Sequence, residues 1–209
     1  MASLSVALQN LAGLNASKVE EIVIRKSHFS ILYGTLLHHS TARVLKIHDI
    51  PIKSINEYTF WGINTTLEEL RIINTSLTSF PREAFKVLGN LKILEIDSHN
   101  IQILNTNEFD DSQLPVKLEK IYLTNGNITE IGANAFQHLK KAKVVDLHGN
   151  QITALKKNQF RGLRDAEVLD ISFNHIAKLE SSHIADLTKL TICNVSHNKL
   201  AELSRCEMS

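Results

Sequence analysis

The sequence predicts an α/β solenoid: a rod of stacked short units, each giving one strand to a parallel sheet along one face, with irregular or short helical segments on the other. Three observations carry this reading. Apolar residues recur at two fixed positions through eight units spaced about 24 residues apart, a late aromatic recurs in most of them, and three asparagines stand 24 residues apart.

The frame is set by segment 144–155, VVDLHGNQITAL, which aligns with EVLDISFNHIAKL from Glu167 and ICNVSHNKLAEL from Ile192. Its asparagines are Asn150, Asn174 and Asn198. Extended backwards, the units begin near Val19, Ala42, Leu67, Leu91, Leu118, Ala142, Ala166 and Leu190, with spacings of 23, 25, 24, 27, 24, 24 and 24. The long spacing absorbs an insertion around Asp110 to Leu114. Position 4 of the units reads Ile22, Leu45, Leu70, Leu94, Ile121, Val145, Leu169 and Cys193. Position 6 reads Ile24, Ile47, Ile72, Ile96, Leu123, Leu147, Ile171 and Val195. Alternation with period two places both positions on one face of a short strand. One such unit cannot bury its apolar face alone, so each packs on its neighbours and the chain is a solenoid.

The rest of the unit has its own pattern. Phe60, Phe85, Phe109, Phe136 and Phe160 recur late in their units, with Leu37 and Ile184 in the same place in two others. Stacked along the rod, the rings are expected to form a core spine behind the sheet. The asparagine at position 9 is expected to bond backbone groups of the adjacent loop, which satisfies amides that stacking buries. Ser27, Ile50, Thr75, His99 and Gly126 stand there in earlier units, so the N-terminal half is expected to be less regular, with looser junctions.

The pattern of aliphatics and asparagine resembles the extracellular, 24-residue class of leucine-rich repeats, as in Toll-like receptor ectodomains, Slit-type guidance proteins and chaoptin or connectin. The resemblance covers about residues 19–209 and implies a horseshoe with strands on its concave face. Members usually carry cysteine-rich caps, whereas only Cys193 and Cys206 occur here. Residues 1–18 are therefore read as the end of an upstream repeat or a cap segment, and 19–209 as one repeat domain. The sequence Leu11-Ala12-Gly13-Leu14 resembles the close of an upstream repeat, and a fragment of a longer solenoid or an uncapped member is expected.

Composition excludes more than it selects. The 209 residues hold 23 basic against 22 acidic side chains, so net charge argues for neither nucleic acid nor an anionic membrane surface, and no nucleic-acid partner is expected. No run approaches the roughly 20 apolar residues of a membrane span, and the first residues lack the basic start of a signal peptide. No phosphate loop, nucleophile elbow, Cys-x-x-Cys or His-Glu-x-x-His motif is present, so no enzyme and no cofactor are expected. Of the ten histidines, His148 and His197 lie two units apart, roughly 10 Å at the spacing of paired strands, too far to share a metal ion. Five N-x-S/T sequons, at Asn15, Asn64, Asn74, Asn127 and Asn194, favour a secreted or extracellular chain and are the expected glycosylation sites. Cys193 occupies a core position and reads as a small buried hydrophobe, with a disulfide to Cys206 as the competing reading.

Binding is expected on the concave strands. Position 5 side chains include Lys46, Arg71, Glu95, Tyr122, Asp146 and Asp170, a row that passes from basic to acidic. Position 3 adds an apolar stripe that includes Ile93, Val144, Val168 and Ile192. Position 7 adds Ile73 and His148, and position 8 adds Phe173. A tyrosine among aliphatics has the composition of an interface core, so Ile73, Ile93 and Tyr122 are the expected anchor, with the charges setting orientation. The function this implies is an extracellular recognition module binding a protein, of receptor, adhesion or innate-immune type. The alternative is a structural subunit of a secreted complex or a self-associating solenoid. An intracellular adaptor fits neither the sequons nor the 24-residue period.

Overall fold

A computed structural model describes residues 19–32, 37, 40–109 and 117–203. The 1–18 segment, Asn15, the insertion around Asp110 to Leu114 and Cys206 lie outside the described residues. Strands β1 (Glu21–Arg25), β3 (Val44–Ile50), β5 (Glu69–Thr75), β6 (Ile93–Asp97), β8 (Lys120–Thr124), β10 (Val144–Asp146), β11 (Val168–Asp170) and β13 (Ile192–Asn194) form one eight-stranded parallel sheet in that order. The register matches like position to like position: Leu45 pairs with Leu70, Leu70 with Leu94, and Leu94 with Ile121. A one-residue slip would turn every buried aliphatic to solvent, so the apolar period fixes this register.

Positions 4 and 6 point inward and are buried from Ile22 through Ile171. Behind them lies the aromatic spine. Phe109 stacks on Phe136 at 5.6 Å and Phe136 on Phe160 at 6.0 Å, while Phe60 lies 5.9 Å from Phe85. Phe80 joins the two parts, with its ring centroid 5.2 Å from Phe85 and 4.7 Å from Phe109. The outer side carries the two-residue strands β2 (Ile31–Leu32), β4 (Ser54–Ile55), β7 (Ile103–Leu104), β9 (Glu130–Ile131), β12 (Lys178–Leu179) and β14 (Glu202–Leu203), paired β2–β4, β7–β9 and β12–β14. Two single helical turns, α1 (Arg82–Phe85) and α2 (Ser181–Ile184), complete it. This is the predicted fold class.

The asparagine ladder forms in the last three units. Asn174 donates to the carbonyls of Leu147 at 3.0 Å and Ile171 at 3.1 Å, and accepts the Ile152 N–H at 3.0 Å. Asn150 serves Leu123, Leu147 and Ile128 in the same way, and Asn198 serves Ile171, Val195 and Ile176. Each side chain thus ties its unit to the preceding one.

The N-terminal half corrects the expectation of irregularity. Where asparagine is missing, β3 and β5 run for seven residues and pair as far as Ile50 with Thr75, whereas β10, β11 and β13 have three residues each. The physical reason is an exchange of partners. An asparagine amide takes over carbonyls and N–H groups near the end of the strand. Without it, the backbone pairs with backbone for longer.

His99 and Gly126 solve the same problem differently. Gly126 has no side chain to accept the Ile101 N–H, and His99 does so instead through Nδ1 at 3.2 Å. A Cβ on Gly126 would lie 2.2 Å from the His99 ring, so the histidine fits because the next unit has glycine. The His99 Nε2 is buried without a partner, and burial pushes the imidazole pKa down to about 4 against the opposing pull of Asp97.

Cys193 also departs from expectation. It is exposed and not a buried hydrophobe, because β13 pairs only with β11 within the sheet and nothing among the described residues stacks on its other side.

Candidate concave interface

Each unit presents position 3, 5 and 7 side chains outward from the sheet, and turns at position 8. That turn requires a left-handed residue in every unit. Lys26, Asp49, Asn74, Ser98, Asn125, Gly149, Phe173 and His197 all have φ between 50° and 69°. Asparagine, aspartate and glycine adopt this region at little cost, whereas a bulky aromatic rarely does.

The position 5 row begins basic, yet its cations are already matched. Lys46 Nζ lies 2.9 Å from Glu21, and Arg71 bonds both Glu69 and Glu95, the latter at 2.7 Å. Neither is a spare charge awaiting a ligand. The acidic end differs. Asp146 and Asp170 at that end, and Asp97 in the position 7 row beside it, pair with no lysine or arginine among the described residues. Asp146 Oδ1 accepts from the His148 N–H at 3.0 Å and faces its Nδ1 at 2.8 Å. Asp170 accepts from the Ser172 N–H at 2.9 Å, the Ser172 hydroxyl and Asn194 Nδ2. Burial raises the Asp97 carboxyl, but donors from Thr124, Asn125 and Ser98 together with nearby His148 outweigh it and hold the group below its usual range. The same balance, with Ser172 and Asn194 as donors, holds Asp170 low. Asp97 and Asp170 are therefore charged carboxylates at neutral pH.

Tyr122 stands between Glu95 and Asp146 in the row, half-buried. Burial and then the two carboxylates push its hydroxyl pKa up, so it stays a neutral ring with a polar tip. Ile73 and Ile93 are also half-buried but lie on different rows, with the Arg71–Glu95 pair on the row between them. The three anchors therefore stand on three different rows of three successive strands, with an ion pair between the first two, and do not form one apolar patch.

Position 8 already placed Phe173 on the concave side, but its stack on His197 and two further features of the surface escaped the sequence reading. Phe173 is 55% exposed and stacks on His197 with ring centroids 4.1 Å apart and planes 14° from parallel. The signal was Phe and His at the same register of adjacent units. Position 2 alternates in sign as Glu20, Arg43, Glu68, Lys92, Glu119, Lys143 and Glu167. Within it, Glu68 bridges Arg43 at 2.9 Å and Lys92 at 2.8 Å, and these cations hold its carboxyl pKa down to about 2. A lateral cleft of about 400 Å³ opens beside that row, lined by residues that include Arg43, Glu68, Asn90, Lys92 and Lys117. Its cations are engaged, with Lys117 donating to Asn90 at 2.6 Å. The third is an exposed Tyr58–Trp61 pair, ring centroids 5.2 Å apart, on the outer side.

Four sequons fall on described residues. Asn74 donates to Asp49 at 2.7 Å, Asn127 to Asn100 at 3.0 Å and Asn194 to Asp170 at 2.8 Å, while Asn64 is half-buried.

A sheet of like-for-like strands, an asparagine ladder and a phenylalanine spine define a class, the leucine-rich-repeat solenoids. A family profile described as leucine rich repeat matches residues 116–176, and one described as a BspA type leucine rich repeat region matches residues 14–116. The chain is a leucine-rich-repeat protein, and it is similar to Toll-like receptor ectodomains. It is 36% identical to Toll-like receptor 7 of Mus musculus over 72 residues, which is 34% of this chain and 6% of that receptor. A crystal structure of a TLR13–ssRNA13 complex has the same fold, with a TM-score of 0.82 and 21% identity over 96% of this chain and 31% of that one. The chain thus spans less than a third of either relative's length.

Proposed function

We propose that this chain is a recognition module of the Toll-like receptor type, exposed outside the cell or in an endosomal lumen, that binds a macromolecular partner through its concave face. The single observation that carries the reading is the unmatched chemistry of that face. Lys46 and Arg71 are neutralised within it, while Asp146 and Asp170 are adjacent in register and paired to no lysine or arginine among the described residues. Ile73, Ile93 and Tyr122 supply the anchors, and Lys46, Arg71, Glu95, Asp146 and Asp170 fix orientation. Among the described residues no group of three or more His, Cys, Asp or Glu is placed to hold a metal ion. No described helix is long and apolar enough to cross a membrane.

Near-zero net charge does not exclude nucleic acid, since the TLR13 structure is a complex with a single-stranded RNA. The distribution of charge bears on the question more than its sum. The carboxylates of units 4, 6 and 7 oppose a phosphate backbone on the concave face, which favours a protein partner there.

The test is a glycan wedge. Tyr122→Asn, with Leu123 and Thr124, completes a sequon in the middle of the concave face. Secreted from a eukaryotic host, this variant is expected to lose binding to whichever ectodomains in a purified panel capture the parent chain. Gln151→Asn completes a sequon with Ile152 and Thr153 at the register of Asn127, off that face, and is expected to bind as the parent does.

A further inference from the structure

The last three turns carry three parallel bands on their concave side. Val144, Val168 and Ile192 form an aliphatic edge, with Ile192 56% exposed. Asp146 and Asp170 form the middle. Phe173 and His197 form a stacked platform on the far side. The platform is open on one side only. His197 covers one face of Phe173, while the unit before it offers Gly149, which has no side chain at the matching place. Neither conformation nor burial accounts for a phenylalanine there. Its φ of 52° suits asparagine or glycine better, and more than half of the ring meets water.

We propose that this surface docks a basic protein segment, and that an arginine of that segment stacks its guanidinium on the open face of Phe173 while its charge is met by Asp170 and Asp146. The inference rests on the concave face being the binding face, and it names the partner's chemistry. Charge complementarity selects the occupant: two carboxylates adjacent in register, neither paired to a lysine or arginine among the described residues, repel an anionic partner and favour a cationic one. The flat ring selects within the cations, because guanidinium is planar and weakly hydrated and stacks on aromatic faces, whereas ammonium is a compact, strongly hydrated charge. The aliphatic edge suits apolar residues alternating with the arginines in an extended strand.

Fluorescence anisotropy with short labelled peptides tests this on the whole chain. The probes are alternating arginine–leucine, lysine–leucine and glutamate–leucine peptides, with oligouridylate as the anionic polymer. The arginine peptide is expected to bind tightest and the glutamate peptide not at all. Phe173→Ala is expected to weaken the arginine peptide about five-fold, to the level of the lysine peptide, as loss of one partly exposed cation–π contact requires. Asp146→Asn keeps the acceptor for the His148 N–H and is expected to weaken both cationic peptides about ten-fold. Glu57→Gln, an equal change of net charge on the outer side, leaves them unchanged.

Equal arginine and lysine affinities, an equal loss in Glu57→Gln, or oligouridylate binding by the parent chain that Phe173→Ala weakens would each overturn the proposal. So would glycopeptide mass spectrometry that finds a glycan on Asn194, whose amide lies 2.8 Å from Asp170. Unchanged thermal midpoints certify that the variants fold. If the Tyr122→Asn wedge abolishes partner binding while these peptide signatures fail, only the basic segment is wrong. A wedge without effect removes the concave face itself.

Discussion

His99 and Phe173 show how much of this molecule is decided at single positions. His99 is 3% exposed, its Nε2 lacks a partner, and its pKa is about 4 against an ordinary 6.5. Between those values the unfolded chain binds the extra proton and the folded chain does not. Stability is therefore full above about pH 6.5 and falls as pH drops toward 4, by about 3 kcal/mol across the window. Urea unfolding as a function of pH is expected to show this slope, and His99→Asn is expected to flatten it. Asp97 and Asp170, held below their ordinary 3.8, give a further loss only at lower pH, so the two effects separate. Phe173 makes the opposite case. Phe173→Asn places a residue suited to φ 52° and is expected to leave stability within about 0.5 kcal/mol of the parent, or raise it, in the same assay. Gly149→Ala is expected to cost about 1–2 kcal/mol, since φ is 69° and a Cβ would lie 2.4 Å from Asn125 Oδ1.

Between units, stability resides in the junction elements. Asn174→Ala strands the Ile152 N–H and the carbonyls of Leu147 and Ile171, which is expected to cost about 2–4 kcal/mol in chemical unfolding. The His99–Gly126 junction predicts coupling. Gly126→Asn alone drives a side chain into the imidazole and destabilises the fold. Paired with His99→Asn it recreates the arrangement of Asn150 with Ile128, so the double variant is expected to be more stable than Gly126→Asn by more than about 1 kcal/mol. The strands, the register and the spine were legible because each depends on one residue type recurring at one spacing. The ladder was legible at Asn150, Asn174 and Asn198 for the same reason. The substitute junctions were not. That Ile50 and Thr75 prolong strands, and that histidine needs glycine in the next unit, are relations between non-identical residues one unit apart. The neutralisation of Lys46 and Arg71 was hidden likewise, because it depends on which rotamer reaches which glutamate across strands.

Across the whole molecule, a formal net charge of +1 conceals local imbalance. Ion pairs neutralise the N-terminal part of the concave face and the lateral cleft, and on the last turns there remain a stacked aromatic pair and carboxylates that no lysine or arginine among the described residues pairs. Light scattering on glycosylated protein is expected to give a monomer, 23.5 kDa plus glycans; a discrete dimer would shift the weight to self-association. The central claim is that the partner sits on the concave face, and the paired glycan wedges test it most directly. The account predicts that glycosylated Tyr122→Asn loses at least about ten-fold in affinity for an ectodomain bound by the parent chain, while glycosylated Gln151→Asn binds as the parent does. Full binding by Tyr122→Asn, or equal losses in both, would contradict it.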